Sequence, residues 1–348
     1  MCELFGVSSN KVVGVSFTWR GFVKRGRVHR DGWGVAWYLD NGLAGVVKEP
    51  RPAPDSPIAR LMIQGVRSKI VISHVRWASR GDASYVNTHP FVRRIWGRDW
   101  VFAHNGDVSG IINDPGFKLK WCYPAGETDS EYAFCYIVEQ LSILQNNWSL
   151  EDIVIKLWRV ADKIGEYGMF NFLLSDGRYL FAYINRNNTL HYLLRHPPHR
   201  GVIALRDEDY EVHLEELKDP NEYAALVATE PLTNEKWSPM TPGTLYVFYN
   251  GDLLLTVNSE GARLVLNEHE HSVLKAIRTS PRSVYIEDIA RNLGLPEDEV
   301  VKAVQKLKNK DLIKQHSRDE VGSYHPKARY FTNPKLRPLI DKTLHLGE

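Results

Sequence analysis

The fold of this chain is decided by strand-like runs, the clearest of which is Lys69-Ile70-Val71-Ile72-Ser73-His74-Val75. Its β-branched residues favour an extended backbone. Similar runs recur at residues 100–104, 171–174 and 245–249. Turn signals such as Asp40-Asn41-Gly42 separate strands of this kind. Residues 1–258 are therefore predicted to form one domain rich in β-strands.

Two helical patterns interrupt these strands. The first runs from Asp129 to about Gln145, with apolar residues at three-and-four spacing. The second has Ser149 as its predicted N-cap and continues to about Ile164. Runs of strands broken by a pair of helices predict a layered α+β domain rather than a regular βαβ alternation.

The pattern changes near residues 259–265. Three helices are predicted beyond this boundary: one capped by Asn267, one over 286–292, and one that Pro296 opens and that continues to about Asn309. Strand-like segments follow at 311–315 and 328–331. We therefore expect domains at 1–258 and 265–335, followed by a C-terminal tail at 336–348.

The composition of the 348 residues is that of a globular protein, with 43% hydrophobic and 25% charged residues and a formal net charge of +2. This balance excludes wholesale disorder, and no apolar run is long enough to cross a membrane. No secretory leader is visible, so a cytoplasmic location is expected. The three cysteines are too few for a disulfide scaffold, and Cys122 and Cys135 are predicted to be packing residues.

Cys2 directly follows the initiator Met1. Removal of Met1 would leave a residue that carries both a thiol and a free α-amine. An α-amine has an ordinary pKa of about 7.7–8.0, so near neutral pH it can accept the proton of its own thiol. The alternative is an incidental cysteine, and position by itself does not decide between the two.

Further motifs follow Cys2 along the chain. They are, in order, Arg30-Asp31-Gly32-Trp33-Gly34, His74-Val75-Arg76-Trp77-Ala78-Ser79-Arg80-Gly81, Asn87-Thr88-His89-Pro90-Phe91, Phe102-Ala103-His104-Asn105-Gly106-Asp107, Gly126-Glu127-Thr128-Asp129-Ser130-Glu131 and Ala228-Thr229-Glu230-Pro231-Leu232-Thr233. This set resembles the class II glutamine amidotransferases, in particular their stand-alone branch. The resemblance covers about residues 1–255 and implies an N-terminal nucleophile (Ntn) hydrolase fold, a four-layer αββα sandwich.

The resemblance also implies roles for individual residues. Cys2 would be the nucleophile, and Asn105 and Gly106 would form the oxyanion hole, where each donor typically contributes about 2.7–4 kcal/mol. Arg76 would bind the α-carboxylate of the substrate and Asp129 its α-ammonium. Each has a structural alternative: a hairpin turn for Asn105-Gly106, a cross-strand surface ion pair for Arg76, and a helix N-cap or first-turn acid for Asp129.

Four other residues are candidates of the same kind. Trp77, Ser79 and His89 would shape the substrate pocket, with packing as the alternative. Arg30 resembles the family arginine near the N-terminal residue, and an exposed salt bridge is its alternative. The family's usual Thr-His-Gly is replaced by Ser79-Arg80-Gly81, which adds a cation near the pocket. The expected substrate is therefore glutamine or another γ-glutamyl amide.

No cofactor or metal is expected. The pairs His196/His199 and His269/His271 lack a placed third ligand. The second domain is also too short for the ammonia-consuming synthase modules of well-known family members. Ammonia would then pass to a separate acceptor protein or be released.

The second domain resembles a winged helix-turn-helix module. DNA binding through residues 285–331 is one hypothesis, and a protein-contact or dimerisation role is the other. The third helix begins with Glu297-Asp298-Glu299, and these acids would repel phosphate. Three functions thus stay open at this point: an amide hydrolase acting on glutamine or γ-glutamyl peptides, a glutamine-responsive DNA-binding regulator, and an inactive scaffold.

Overall fold

The computed structural model describes residues 2–77, 81–144, 148–186, 189–207, 209–317 and 321–346. Two compact units are distinguished. The first is formed by residues up to Trp148, by 152–253 and by 257–260. The second is formed by residues 149–151, 254–256 and those from Gly261 onward.

Among the described residues, the first unit contains a sheet of seven antiparallel strands. They are β1 (Glu3–Gly14), β2 (Gly32–Tyr38), β3 (Ala44–Glu49), β4 (Arg67–Arg76), β9 (His191–Arg195), β12 (Ala224–Ala228) and β13 (Ser238–Pro239). Their order across the sheet is β13-β9-β12-β1-β4-β2-β3. The quoted run 69–75 thus lies inside β4, which is paired on both sides. Its apolar residues Ile70, Val71, Ile72 and Val75 are all buried, as expected for a strand with two neighbours and two covered faces.

A second sheet faces the first. Within the first unit its strands follow the order β15-β14-β8-β7-β6-β5. They are β5 (Phe91–Ile95), β6 (Arg98–Asp107), β7 (Met169–Ser175), β8 (Leu180–Ile184), β14 (Thr244–Tyr249) and β15 (Asp252–Asn258). Gly6 of β1 allows the sheets to approach, because a Cβ there would come within 2.9 Å of Leu173 and 3.2 Å of Leu180. A short antiparallel pair is formed by β10 (Val202–Ala204) and β11 (Glu211–His213).

Helices cover the outer faces of both sheets. They are α1 (Ser16–Lys24), α2 (Pro57–Gly65), α3 (Asp129–Ser142), α4 (Leu150–Gly165) and the short α5 (Leu214–Leu217). Trp19 and Phe22 of α1 share one core with Phe5 and Val7 of β1. On the other side, Phe134 of α3 stacks on Phe102 of β6 at 5.0 Å. The expected α+β sandwich with four αββα layers is confirmed.

Cys122 and Cys135 correct one prediction. Both are buried, but they form a disulfide, with their Cα atoms 5.2 Å apart. The loop that contains Cys122 is also attached to α3 through Glu139. The Glu139 carboxylate accepts the backbone N–H groups of Lys120, Trp121 and Cys122 at 2.7–2.9 Å. The treatment of the two cysteines as separate packing residues was therefore wrong.

The second unit contains α6 (Glu268–Thr279), α7 (Ile286–Leu293), α8 (Glu297–Asn309) and α9 (Arg337–Thr343). Its strands are β16 (Gly261–Leu264), β17 (Val284–Tyr285), β18 (Ile313–Gln315) and β19 (Arg329–Thr332), of which the last three pair in the order β17-β19-β18. The three predicted helices are present, with Asn267 capping α6 and Gly294 ending α7 at φ 65°. Residues 337–343 are helical, within the segment expected as a tail.

A buried ion pair joins two helices of this unit. Lys310, just after α8, donates to Glu270 of α6 and to the carbonyl of Val265, both at 2.8 Å. Asn267 also donates to the Glu270 carboxylate at 2.9 Å. Without Lys310, the buried Glu270 carboxylate would keep Asn267 and the Nζ of Lys306, which lies 3.6 Å away, so its charge would be only partly compensated.

We expect Lys310→Met to lower the free energy of unfolding by about 2–3 kcal/mol, since a buried hydrogen-bonded charge loses its partner. Urea denaturation of the full chain, followed by circular dichroism, measures this. The matched control is Lys302→Met on α8, where Lys302 pairs with the exposed Asp298 and the partly exposed Glu299, and little change is expected. Equal midpoints for both variants and the wild type would contradict the prediction.

Candidate active site

Cys2 precedes β1 and lies against the end of β4. The register that pairs Glu3 with Val75 brings it beside Trp77. The half-buried thiol donates to the carbonyl of Trp77, and the Trp77 N–H donates to Sγ, both at 3.2 Å. Burial raises the pKa of the Cys2 thiol, and the Trp77 N–H and the nearby Arg76 charge act in the opposite direction. At neutral pH the thiol therefore keeps its proton unless a base removes it.

Asn105 and Gly106 lie on β6 of the facing sheet. The side-chain amide of Asn105 donates from Nδ2 to the carbonyl of Cys2 and, at 3.2 Å, to Oγ1 of Thr229. Gly106 has φ +144°, and an added Cβ would overlap the carbonyl oxygen of Met169. Only glycine fits this position. The Asn-Gly pair is therefore inside a sheet and beside Cys2, not in a hairpin turn.

Arg76 is the last residue of β4, and its side chain is buried. Nη1 donates to the carbonyl of Asp82 at 3.0 Å and Nη2 to that of Gly81 at 3.1 Å. Burial lowers the pKa of the Arg76 guanidinium, and the neighbouring Cys2 and Asp31 act in the opposite direction. These contacts orient a buried cation next to the cysteine, so Arg76 is not a surface residue.

Asp129 is the first residue of α3 and is also buried. Its Oδ2 accepts the backbone N–H of Val108 at 2.7 Å, which ties it to the chain leaving β6. The next residue, Ser130, is bonded at 2.9 Å to Nδ1 of His104. Thr128 caps the helix, accepting from the Glu131 N–H at 3.3 Å. Asp129 is therefore not the N-cap but an acid of the first turn.

The remaining candidates have different surroundings. Trp77 is 50% exposed, and its ring lies 5.7 Å from that of His29. His89 is buried with its ring 4.2 Å from His74, and burial lowers its pKa well below the usual range. Ser79 lies outside the described residues. The roles of these three in shaping a pocket remain predictions.

Arg30 is exposed and donates from Nε to the carbonyl of Arg27 at 3.0 Å. Its support of the N-terminus stays a prediction. A different arginine contacts the residue after Cys2: Arg25 donates to Glu3 at 3.0 Å and to the carbonyl of Pro231 at 3.1 Å. Burial raises the pKa of the Glu3 carboxyl to about 7, while the Arg25 charge acts in the opposite direction. Sequence reasoning missed Arg25, which no motif marks.

Two more residues were missed. Oγ1 of Thr229 accepts the N–H of Leu4 at 2.7 Å as well as the Asn105 amide, so it joins the start of β1 to the facing sheet. The second residue is His74, whose Nε2 lies 3.1 Å from Oδ1 of Asn105. Side chains of a strand alternate between its two faces, so His74, two residues before Arg76, lies on the same face of β4 as Arg76. This spacing could have identified His74 from the sequence.

The arrangement places a thiol, a carboxamide donor and a buried guanidinium at one edge of the sandwich, with a buried carboxylate joined to β6. Within the described ranges, no group of three or more His, Cys, Asp or Glu side chains is arranged to hold a metal ion. The same part of the chain forms no helix with the length and apolar character of a membrane span. The chemistry available from these residues is nucleophilic attack on a polar substrate.

Two facing antiparallel sheets between helical layers, with the chain start at their edge, constitute the Ntn hydrolase fold. The chain belongs to the class II glutamine amidotransferases: residues 1–272 match the model of that family, "Glutamine amidotransferases class-II". It is therefore an enzyme of the glutamine amidotransferase kind, and the membership supports hydrolysis of the glutamine amide in general.

Of the following three similar proteins, two carry glutamine amidotransferase names. The chain is 38% identical over 259 residues to "Putative glutamine amidotransferase YafJ" of Escherichia coli, covering 72% of this chain and 99% of that protein. It is 40% identical over 354 residues to "Uncharacterized protein MJ1515" of Methanocaldococcus jannaschii, covering 99% of this chain and 96% of that protein. The crystal structure of a predicted glutamine amidotransferase from Pseudomonas aeruginosa is similar at TM-score 0.55 and 31% identity, covering 73% of this chain and 99% of that one.

Proposed function

We propose that this enzyme hydrolyses glutamine, or another γ-glutamyl amide, with Cys2 as an N-terminal nucleophile after loss of Met1. The observation that carries the proposal is the contact of the Asn105 amide with Cys2 across the two sheets. The contact supports the proposal because it brings together the two residues proposed as nucleophile and oxyanion donor, which are far apart in the chain.

The proposed reaction begins with proton transfer inside Cys2. Because burial raises the pKa of the thiol, a base is needed, and the freed α-amine of the same residue is the nearest one. The thiolate attacks the amide carbon, forming a C–S bond and an oxyanion. The oxyanion then collapses to a carbonyl as the C–N bond breaks, and the leaving nitrogen takes the proton held by the Cys2 α-ammonium. Ammonia departs and a γ-glutamyl thioester remains. Water hydrolyses the thioester to glutamate and the free thiol.

Asn105 would stabilise the oxyanion through Nδ2, with the backbone N–H of Gly106 as the second donor. Both hydrogens of Nδ2 are engaged in this structure, one by the Cys2 carbonyl and one by Thr229. We infer that one of these bonds is exchanged for the oxyanion during the reaction. The Cys2 carbonyl is the better candidate for release, because loss of Met1 frees the start of the chain.

Arg76 and Asp129 would bind the two charged groups of the amino acid. A guanidinium can hold a carboxylate through two parallel hydrogen bonds, and a carboxylate attracts the ammonium. Trp77, Ser79 and His89 would line the rest of the pocket.

We expect Arg76→Lys to raise the KM for glutamine about 10- to 100-fold, because an ammonium cannot make the paired hydrogen bonds to a carboxylate. Steady-state kinetics of glutamate release measure this change. Arg195→Lys is the matched control, since Arg195 is also buried but pairs with Glu235, and its KM should equal that of the wild type. An unchanged KM for Arg76→Lys would remove Arg76 from substrate binding.

Intact-mass measurement tests the proposal as a whole. The purified protein should be lighter by one methionine residue, and a glutamine analogue with an electrophilic δ-carbon should add once, on Cys2. Retained Met1, or an adduct on another residue, would count against the N-terminal nucleophile. Glutamine and γ-glutamyl dipeptides compared as substrates would then show which amide is preferred and whether ammonia needs an acceptor protein.

The domain division at 1–258, 265–335 and 336–348, with a winged helix in the second part, also remains a proposal. At the start of α8, Lys302 pairs with Asp298 and Glu299, so its charge is already compensated. DNA binding through residues 285–331 gains no support from these contacts. Gel-shift assays at several salt concentrations would test it, because phosphate binding weakens as salt rises.

A further inference from the structure

His74 is a fully buried histidine of β4 that the proposed reaction does not use. It is two residues before Arg76 and pairs in register with Leu4 of β1. Its Nε2 lies 3.1 Å from Oδ1 of Asn105, on the facing sheet. His74 is therefore bonded to the same side chain that contacts Cys2.

The direction of this hydrogen bond follows from the other bonds of Asn105. The Cys2 carbonyl can only accept, so the amide nitrogen of Asn105 must face it and the oxygen must face His74. The oxygen accepts, so His74 donates and carries its hydrogen on Nε2. Nδ1 makes no hydrogen bond of ordinary geometry among the described residues, although the nearby His104 backbone acts to raise the pKa of the ring.

Burial keeps the donor neutral. It lowers the pKa of His74 to about 3, and the Asn105 hydrogen bond opposes this only in part. A neutral imidazole can orient the amide without adding a charge that would compete with the buried Arg76 for the α-carboxylate of the substrate.

We propose that His74 is a positioning residue that keeps the Asn105 amide nitrogen turned toward Cys2. The nitrogen and oxygen of a carboxamide have nearly the same shape, so packing alone does not select one orientation. A half-turn about Cβ–Cγ would present the oxygen to the oxyanion and repel it. The inference depends on the proposed oxyanion role of Asn105. It adds that His74 fixes the amide orientation which this role requires.

The first test compares His74→Leu with His74→Gln. Leucine removes the donor, and we expect kcat for glutamine to fall about 10- to 100-fold with KM within about twofold, since Arg76 and Asp129 are untouched. Glutamine can place an amide N–H near the position of Nε2, so His74→Gln should recover kcat to within about fivefold of the wild type. His199→Leu is the control for losing a buried histidine, because His199 bonds elsewhere, to the carbonyl of Glu222, and its kcat should not change.

The second test is a double-mutant cycle with Asn105→Ala. If His74 acts through Asn105, His74→Leu should lower kcat by less than about twofold in the Asn105→Ala enzyme. Losses that multiply independently, or a wild-type kcat for His74→Leu, would overturn the proposal.

A third readout does not depend on activity. ¹⁵N NMR of the imidazole in Cys2→Ala protein should show His74 with its hydrogen on Nε2. A hydrogen on Nδ1 would overturn the positioning role even in an inactive protein. Absence of any glutamate release from the wild type would instead overturn the proposed function, so the two failures are distinguishable.

Discussion

Cys2→Ala is expected to reduce glutamate release from glutamine to the background rate, a loss on the order of 10⁴-fold or more. Alanine has no atom that can form the thioester, and the sheets on either side of residue 2 are unaffected by the change. Glutamate release under saturating glutamine measures the effect. The thermal unfolding midpoint should stay close to that of the wild type, because the half-buried Cys2 loses only its sulfur.

The Cys2→Ser variant separates the nucleophilicity of the side chain at residue 2 from the removal of Met1. Serine is also small, so Met1 removal should proceed, but an alcohol is a much weaker nucleophile than a thiolate. We expect an intact mass that shows the loss of Met1 together with a rate far below the wild type. A Cys2→Ala protein as active as the wild type would show that the nucleophile is a different group.

Asn105→Ala is expected to lower kcat about 10²- to 10³-fold with a smaller change in KM, as is typical for loss of one oxyanion donor. The reason is geometric: Nδ2 of Asn105 is the side-chain N–H donor that contacts Cys2 from the facing sheet. Steady-state kinetics with glutamine would give the two constants separately.

The matched control is Asn171→Ala. Asn171 is the cross-strand partner of Asn105 on β7, is equally buried, and bonds to Thr189 and to the N–H of Asn185. Its removal should lower stability without a selective loss of kcat. If both variants lose kcat equally, the effect of Asn105 is structural and its oxyanion role is wrong.

Local patterns predicted the elements of this protein well. The apolar spacing after Asp129 predicted α3, and Asn267, Gly294 and Pro296 marked the limits of the later helices. These signals succeed because capping and turn preferences depend on residues within one or two turns of the backbone. The family motifs similarly predicted the αββα sandwich.

Predictions that required contacts between distant segments were less complete. The disulfide joins Cys122 to Cys135 of α3, and the loop at residues 120–122 is hydrogen-bonded to Glu139 of the same helix. Arg25, and not Arg30, contacts Glu3 beside Cys2. Both arginines belong to the same basic stretch, and spacing alone does not distinguish them.

The strand and helix order, the candidate nucleophile and the motifs around it could be predicted from the amino-acid sequence alone. The contacts of Asn105 with Cys2, Thr229 and His74, and the burial of Arg76 beside the thiol, are known only from the folded protein. The two kinds of feature differ in the separation along the chain of the residues that create them. Backbone preferences are set by near neighbours, whereas these bonds join residues that become adjacent only after strands pair and two sheets pack face to face.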